Sequence, residues 1–234
     1  MEIKTILFDA DGTLFDFSKA EQTAFTKTLS YFGIIDKNGK LAKTYAQCNN
    51  RMWEKFEQGQ ISAKKLRIER FRLFLEQSRL PGKAAEFSKK YISELSRCRY
   101  LLPGAKQILQ QLFGKFEINL ITNGLQDVQR SRIEKSELAN YYSQLFISEE
   151  IGFPKPDRRI FDFVFKKILH KNKKQVLIVG DNLFSDIKGG IDYGIRTCWF
   201  NPLNAANSSN IVPEFEIQDL TELKKILGVE DENN

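Results

Sequence analysis

The sequence has few histidines and cysteines, and this scarcity excludes most transition-metal sites. It contains one histidine, His170, and three cysteines, Cys48, Cys98 and Cys198, spread over 234 residues. Zinc sites need several thiolate or imidazole ligands at characteristic spacings, so a Cys/His zinc site is excluded. We expect His170 at the surface and the cysteines as reduced packing residues, which indicates a cytoplasmic protein.

The sequence also lacks long apolar runs, which excludes a membrane-spanning helix. No stretch approaches the roughly 18 to 20 apolar residues that such a helix needs. The amino terminus enters a strand-like run without the pattern of a secretory signal. With 41% apolar residues, 19 Phe and 7 Tyr, the chain is too apolar for disorder as a whole. Its length predicts one domain, or one domain that carries an inserted lobe.

Charge is distributed unevenly along the chain. Residues 17–100 hold 18 Lys and Arg against 8 Asp and Glu, whereas the remainder holds 18 against 22. A basic face can bind nucleic acid or attract a small anion. The chain has no nucleic-acid-binding motif and its basic residues are scattered, so solvated helix faces are the favoured interpretation and no nucleic-acid partner is expected. We also hypothesise that some of these cations face a cleft and attract an anionic substrate.

Short, β-favouring apolar runs alternate with helical patterns in most of the sequence. Strands are predicted over 3–8, 116–121, 145–147, 176–179, 197–200 and 215–217, and helices over 18–32, 105–113, 126–135, 159–169, 185–193 and 220–227. Ser18 is the predicted N-cap of the first helix. The alternation predicts an α/β fold with a Rossmann-like parallel sheet covered on both faces. Residues 230–234 are expected to fray.

Residues 40–99 show helical patterns alone, with breaks at Gly59-Gln60 and Pro81-Gly82. This block interrupts the strand–helix alternation after the first strand. We therefore predict an α/β core formed by 1–16 and 101–234, with an all-helical cap inserted at 17–100.

Polar side chains follow several predicted strands at the point where each strand ends. They are Asp9 and Asp11, Thr122 and Asn123, Lys155, and Asp181 with Asp186. Parallel sheets bind their ligands at the carboxyl ends of the strands, so these groups should converge at one edge. Four carboxylates this close repel each other unless a cation lies among them. Oxygen ligands alone favour a hard cation, and Mg²⁺ is the expected cofactor.

These same segments resemble the motifs of a known family. Residues 8–14, Phe-Asp-Ala-Asp-Gly-Thr-Leu, resemble the first motif of the haloacid dehalogenase superfamily. Thr122-Asn123 is similar to the second motif of that superfamily, Lys155-Pro156 to the third and the run 180–186 to the fourth. Each motif alone is better explained by a turn or a loop than by catalysis. All four in order, each after a strand, favour a catalytic function. The helical block resembles the cap that one subfamily inserts between its first two motifs.

The resemblance implies a role for each residue. Asp9 would attack phosphorus and become phosphorylated, and Asp11 would act as general acid and then base. Thr122, Asn123 and Lys155 would bind the phosphoryl group. The metal would be held by the Asp9 carboxylate, the Asp11 backbone carbonyl, Asp181 and, directly or through water, Asp186. Asp11 favours a phosphatase, because the dehalogenases of the superfamily usually lack an aspartate there, and the cap loop typical of its mutases is not evident.

The cap sequence suggests a substrate class. The pattern Asn49-x3-Trp53-x2-Phe56-Glu57, followed by Arg70-Phe71, resembles the cap of bacterial house-cleaning pyrimidine 5′-nucleotidases. Asn49, Trp53 and Glu57 are therefore candidate substrate contacts, although Trp53 and Phe56 are equally typical of cap-core packing. The expected substrate is a small phosphorylated metabolite, a nucleoside monophosphate first and a sugar phosphate or phosphoglycolate second. A 2-haloacid dehalogenase and a non-catalytic binding protein are the less favoured alternatives. A monomer or a weak homodimer is expected.

Overall fold

Six short strands form one parallel sheet in the computed structural model, which describes residues 2–230. They are β1 (Thr5–Phe8), β2 (Glu117–Thr122), β3 (Gln144–Ile147), β4 (Val176–Gly180), β5 (Arg196–Phe200) and β6 (Phe215–Ile217). Their spatial order is β3-β2-β1-β4-β5-β6, and every neighbouring pair is parallel. β1 therefore lies between β2 and β4, which places the carboxyl ends of these three strands side by side.

Ten α-helices accompany these strands in the described part of the chain. They are α1 (Phe17–Tyr31), α2 (Lys40–Glu57), α3 (Ala63–Ser78), α4 (Ala84–Leu95), α5 (Ala105–Leu112), α6 (Gln126–Ile133), α7 (Ser148–Ile151), α8 (Arg158–Lys167), α9 (Gly189–Tyr193) and α10 (Leu223–Leu227). A π-helical segment, Leu183–Lys188, precedes α9. Between residues 2 and 230, no helix is both long enough and apolar enough to cross a lipid bilayer.

Helices cover both faces of the sheet, and β1 shows why. Successive side chains of a strand point to opposite faces. Ile6 and Phe8 accordingly pack with α5 in one hydrophobic cluster, whereas Leu7 packs with α8 in another. All four residues of β1 are buried, as expected for a parallel strand with helices on both sides. The predicted α/β fold with a Rossmann-like parallel sheet is confirmed.

Helices α1 to α4 enclose a separate aromatic core. Phe25 stacks on Tyr45 with ring centroids 4.4 Å apart, and Phe32 stacks on Phe87 at 3.9 Å. This cluster contains seven of the 19 phenylalanines in the sequence. Leu125 and Val128, from the start of α6, belong to the same cluster. We propose on this basis that 17–100 is an inserted cap and that 1–16 with 101–234 form the core.

Several local expectations need correction. Helix α1 begins one residue earlier than predicted, and its N-cap is Asp16 rather than Ser18, because the Asp16 carboxylate accepts from the Lys19 N–H at 2.9 Å. The helix predicted over 185–193 begins instead as the π-helical segment. Helix α7 was not predicted, since four residues carry no periodicity. His170, in contrast, lies at the surface as expected, with its side chain 35% exposed and Nδ1 3.0 Å from Thr5 Oγ1.

The cysteines are all buried and free, as expected. Residues 230–234 were expected to fray, and 231–234 of this range lie outside the described residues.

We expect the substitution Asp16→Ala to destabilise the protein by about 0.5 to 2 kcal/mol, because it removes the side chain that caps α1. The matched control is Ser18→Ala, which should change the free energy of unfolding by less than about 0.5 kcal/mol. Urea denaturation of the two variants and the parent measures both values. Equal losses from the two substitutions would contradict the assignment of the cap to Asp16.

Candidate active site

Two glycines make room for carboxylates at this edge of the sheet: Gly12 in the loop after β1, and Gly180, the last residue of β4. Gly12 has a φ of +88°, and a Cβ atom there would lie 2.3 Å from Asp181 Oδ2. A Cβ on Gly180 would lie 2.3 Å from Asp186 Oδ2. Neither position accommodates a side chain without displacing a carboxylate. These glycines therefore let two carboxylates pack directly against backbone at the edge of the sheet.

Lys155 lies at the centre of this edge and is fully buried. Its Nζ donates to Asp9 Oδ1 at 2.6 Å, to Asp186 Oδ1 at 2.6 Å and to the Ile121 carbonyl at 2.7 Å. An ammonium group has three N–H donors, so all of them are satisfied. Burial by itself would lower the pKa of Lys155, but Asp186 and Asp9 outweigh it and raise that pKa. The lysine is therefore a fixed positive charge.

Asn123 holds the loop that carries Lys155. Its side-chain Oδ1 accepts from the Lys155 backbone N–H at 2.8 Å, and its Nδ2 donates to the Lys155 carbonyl at 2.8 Å. The same Nδ2 lies 3.2 Å from Glu57 Oε1, in the cap. The Asn123 side chain thus positions the lysine loop, and the phosphate contact predicted for Asn123 stays a prediction.

Three carboxylates converge beside Lys155. Asp9, Asp181 and Asp186 each offer one oxygen, and these oxygens lie within 4.8 Å of one another. Burial raises the pKa of Asp9 well above its usual value, with Lys155 opposing and Asp186 adding to the rise. Burial, followed by the charge of Asp186, raises the pKa of Asp181 to about 7. One lysine does not balance three carboxylates, so this oxygen-only group suits a hard divalent cation.

The Asp11 carboxylate is held apart from that group by two residues of α6. Arg132 Nη1 donates to Asp11 Oδ1 at 2.7 Å, and Gln129 Nε2 donates to Oδ2 at 2.8 Å. Gln129 Nε2 also lies 2.8 Å from Thr122 Oγ1, so one amide joins the predicted acid to the predicted phosphate-binding hydroxyl. The Arg132 side chain is 0% exposed and reaches the Cys98 carbonyl through Nε at 3.1 Å.

Sequence reasoning missed Gln129 and Arg132. They are three residues apart on the helix that follows the second motif, so they share a face of α6. Two polar residues at this spacing, on a helix face directed at the core, are the feature of the sequence from which they could have been predicted.

A cleft of about 440 Å³ lies between the sheet edge and the cap. Asp11 and Asp181 line its floor, and the three predicted cap residues Asn49, Trp53 and Glu57 line its roof. Burial raises the pKa of Glu57, and the hydrogen bond from Asn123 opposes that rise. The structure therefore brings the predicted cap and core residues to one cavity, with Asp9, Thr122, Lys155 and Asp186 buried at the sheet edge beneath it.

Of the cap cations hypothesised to face the cleft, the structure places one beside it. Across residues 2–230, Arg70 is the single Lys or Arg side chain that lines this cavity. Other cap cations form ion pairs elsewhere: Arg72 binds Glu69 and Glu76 on α3, and Arg67 reaches Asp127 and Glu149 of the core. These two arginines are therefore engaged outside the cleft, and charges outside it are screened beyond roughly 8 to 10 Å at physiological salt.

Comparison with known proteins shows relatives that span nearly the whole chain. A family model described as haloacid dehalogenase-like hydrolase matches residues 6–200. The HAD-hydrolase YfnB of Bacillus subtilis strain 168 is 34% identical over 97% of this chain and 96% of its own. Pyrimidine 5′-nucleotidase YjjG of Escherichia coli strain K12 is also 34% identical, over 95% and 96%. Pyrimidine 5′-nucleotidase PynA of Streptococcus pneumoniae is 31% identical, over 95% and 94%.

A solved structure shares the architecture as well. The crystal structure of YfnB from Bacillus subtilis bound to magnesium superposes with a TM-score of 0.91 and 32% identity, covering 97% of this chain and 100% of that one. The family match, the order of the four motifs and the convergence of their side chains at one sheet edge agree. The chain therefore belongs to the haloacid dehalogenase-like hydrolase family and is a hydrolase.

Proposed function

We propose that the protein is a metal-dependent phosphatase that hydrolyses nucleoside 5′-monophosphates through a phosphorylated Asp9. The observation that carries this proposal is the buried contact of Lys155 with Asp9, set beside Asp11 under a cleft closed by the cap. Two relatives named pyrimidine 5′-nucleotidases, aligned over at least 94% of both chains, support the choice of substrate.

Asp9 is suited to attack phosphorus because Lys155 fixes one of its oxygens. In the first step a carboxylate oxygen of Asp9 forms a bond to phosphorus, and the bond from phosphorus to the substrate's 5′ oxygen breaks. Asp11 gives that oxygen a proton. In the second step Asp11 takes a proton from water, the water oxygen bonds to phosphorus, and the bond to Asp9 breaks to release phosphate.

Gln129 and Thr122 couple the phosphoryl site to the acid. The amide of Gln129 contacts both Thr122 Oγ1 and Asp11 Oδ2, and so links the two side chains through one group. Thr122 and the backbone N–H of Asn123 are assigned to the phosphoryl oxygens, and Lys155 supplies a positive charge beside them. In this assignment the nucleophile and the acid both follow β1, and the phosphoryl-binding Thr122 ends the neighbouring strand β2.

The carboxylates of Asp9, Asp181 and Asp186, with the Asp11 backbone carbonyl, would hold Mg²⁺. When bound, this cation would offset negative charge on the phosphoryl oxygens. The fit rests on the three converging carboxylates and their shortage of positive partners.

We expect Asp9→Asn to abolish phosphate release from a nucleoside monophosphate, with a loss of several orders of magnitude in kcat, because an amide is not a nucleophile at phosphorus. Asp192→Asn, at an exposed ion pair with Lys188, is the matched control and should keep full activity. Circular dichroism checks that both variants fold. Metal-dependent turnover by folded Asp9→Asn would overturn the assignment of the nucleophile.

We expect Mg²⁺ to raise the melting temperature of metal-free protein, because it relieves repulsion among the three carboxylates. Asp181→Asn should melt higher than the parent without metal and gain less from Mg²⁺; each kcal/mol corresponds to about 2 to 4 °C. Glu86→Gln, at an exposed ion pair with Lys83, is the control and should respond to Mg²⁺ as the parent does. A melting temperature that Mg²⁺ leaves unchanged in the parent would argue against this site.

We expect the enzyme to release phosphate from pyrimidine nucleoside monophosphates faster than from sugar phosphates or phosphoglycolate, and EDTA to stop the reaction. A panel of these substrates, measured by phosphate release with and without EDTA, tests both points. Preference for a sugar phosphate would establish the second candidate substrate class. Halide release from 2-haloacids that survives EDTA would establish a dehalogenase instead.

A further inference from the structure

The roof of the cleft contains a buried guanidinium group with an unsatisfied edge. Arg70 on α3 is 1% exposed, and it lines the cavity together with Asn49. Its Nη1 donates to Asn49 Oδ1 at 3.1 Å, whereas Nε and Nη2 have no hydrogen-bond partner. Leaving buried N–H groups of a charged side chain without partners is costly. Such an arrangement is expected where a ligand supplies the missing acceptors.

The two free nitrogens define the geometry of that ligand. Nε and Nη2 form one edge of the planar guanidinium, whose N–H groups point the same way and bind paired acceptors or one carbonyl oxygen. The plane is held in place, because the guanidinium carbon lies 4.9 Å from the ring centroid of Tyr91 and 5.4 Å from that of Phe71. Arg70 therefore presents a fixed pair of donors rather than a mobile charge.

Glu21 supplies an acceptor in the same cavity. Asn49 Nδ2 donates to Glu21 Oε1 at 2.7 Å, so Asn49 links the carboxylate of α1 to the guanidinium of α3. Among residues 2–230, no carboxylate forms a direct ion pair with Arg70, and the second oxygen of Glu21 accepts no hydrogen bond. Arg70, Asn49 and Glu21, which we call the roof triad, thus combine two free donors with one free acceptor.

The charges around the roof triad disfavour an anion there. Glu21 belongs to the triad itself, and Glu57 and Asp11 line the same cleft. A phosphate or carboxylate beside Arg70 would meet these carboxylates, whereas a neutral ring would not. A pyrimidine of the uracil or thymine type fits this pattern, because its edge carries a carbonyl acceptor next to the ring N3–H donor.

We propose that the roof triad reads the pyrimidine base of the substrate: Arg70 donates to a base carbonyl and Glu21 accepts from the neighbouring N–H. This inference rests on the proposed function and deepens it, since it assigns base recognition to the cap and leaves the chemistry to the sheet edge. Arg70 and Glu21 act as specificity-determining residues. Asn49 is a positioning residue, because it hydrogen-bonds to both of them and holds them in place.

The test compares UMP with ribose 5-phosphate, which carries the same phosphorylated sugar without a base. In Arg70→Lys the charge is kept and the planar donor edge is lost. We expect the ratio of kcat/KM for UMP to that for ribose 5-phosphate to fall about ten- to hundredfold. Arg72→Lys, on the exposed side of the same helix, is the matched control and should leave the ratio as in the parent. Melting temperatures report whether each variant folds.

Glu21→Gln provides a second, independent variant. Glu21 is only partly buried, so the substitution leaves the packing of the cap core intact. It should lower the same ratio by weakening acceptance of the base N–H. An unchanged ratio in both folded variants would overturn the role of the roof triad while leaving the nucleotidase intact. A parent enzyme that does not hydrolyse UMP, but does hydrolyse other phosphate monoesters, would instead refute the proposed substrate.

Discussion

The buried ammonium group of Lys155 is the contact on which the rest of the site depends. It joins a carboxylate after β1, a carboxylate after β4 and a carbonyl of β2, so it ties together the ends of three adjacent strands. Removing one partner of a buried ion pair typically costs about 3 to 5 kcal/mol, because the other charge is left uncompensated. Lys155 thus holds the strand ends together and also places a positive charge beside Asp9.

Two separate hydrogen-bond networks face each other across the cleft. On the floor, Gln129 joins Thr122 to Asp11, and on the roof, Asn49 joins Glu21 to Arg70. In the function proposed above, the floor network bears on bond breaking and the roof network, which belongs to the cap, bears on substrate selection. This separation lets the cap change its ligand without disturbing the groups that act on phosphorus.

One basic residue of the cap contacts the core rather than the cleft. Arg67 of α3 forms ion pairs with Asp127 of α6 and Glu149 of α7, at 2.8 and 2.7 Å, and so ties the cap to the core. Partly exposed pairs of this kind are individually weak. Their position across the boundary makes them contacts that restrain the cap over the sheet edge rather than cations that attract substrate.

Local periodicity and motif spacing were sufficient to predict the α/β class, most strands and helices in chain order, and the residues at the strand ends around Lys155. They did not predict the four-residue α7 or the π-helical segment, and the division into core and inserted cap stays a prediction. The partners of Asp11 and Arg70 follow from the tertiary structure. Arg132 is 121 residues from Asp11, and Arg70 is 21 residues from Asn49 on another helix. Whether a charged side chain is buried, and which group neutralises it, depends on the packing of segments that the local sequence pattern does not connect.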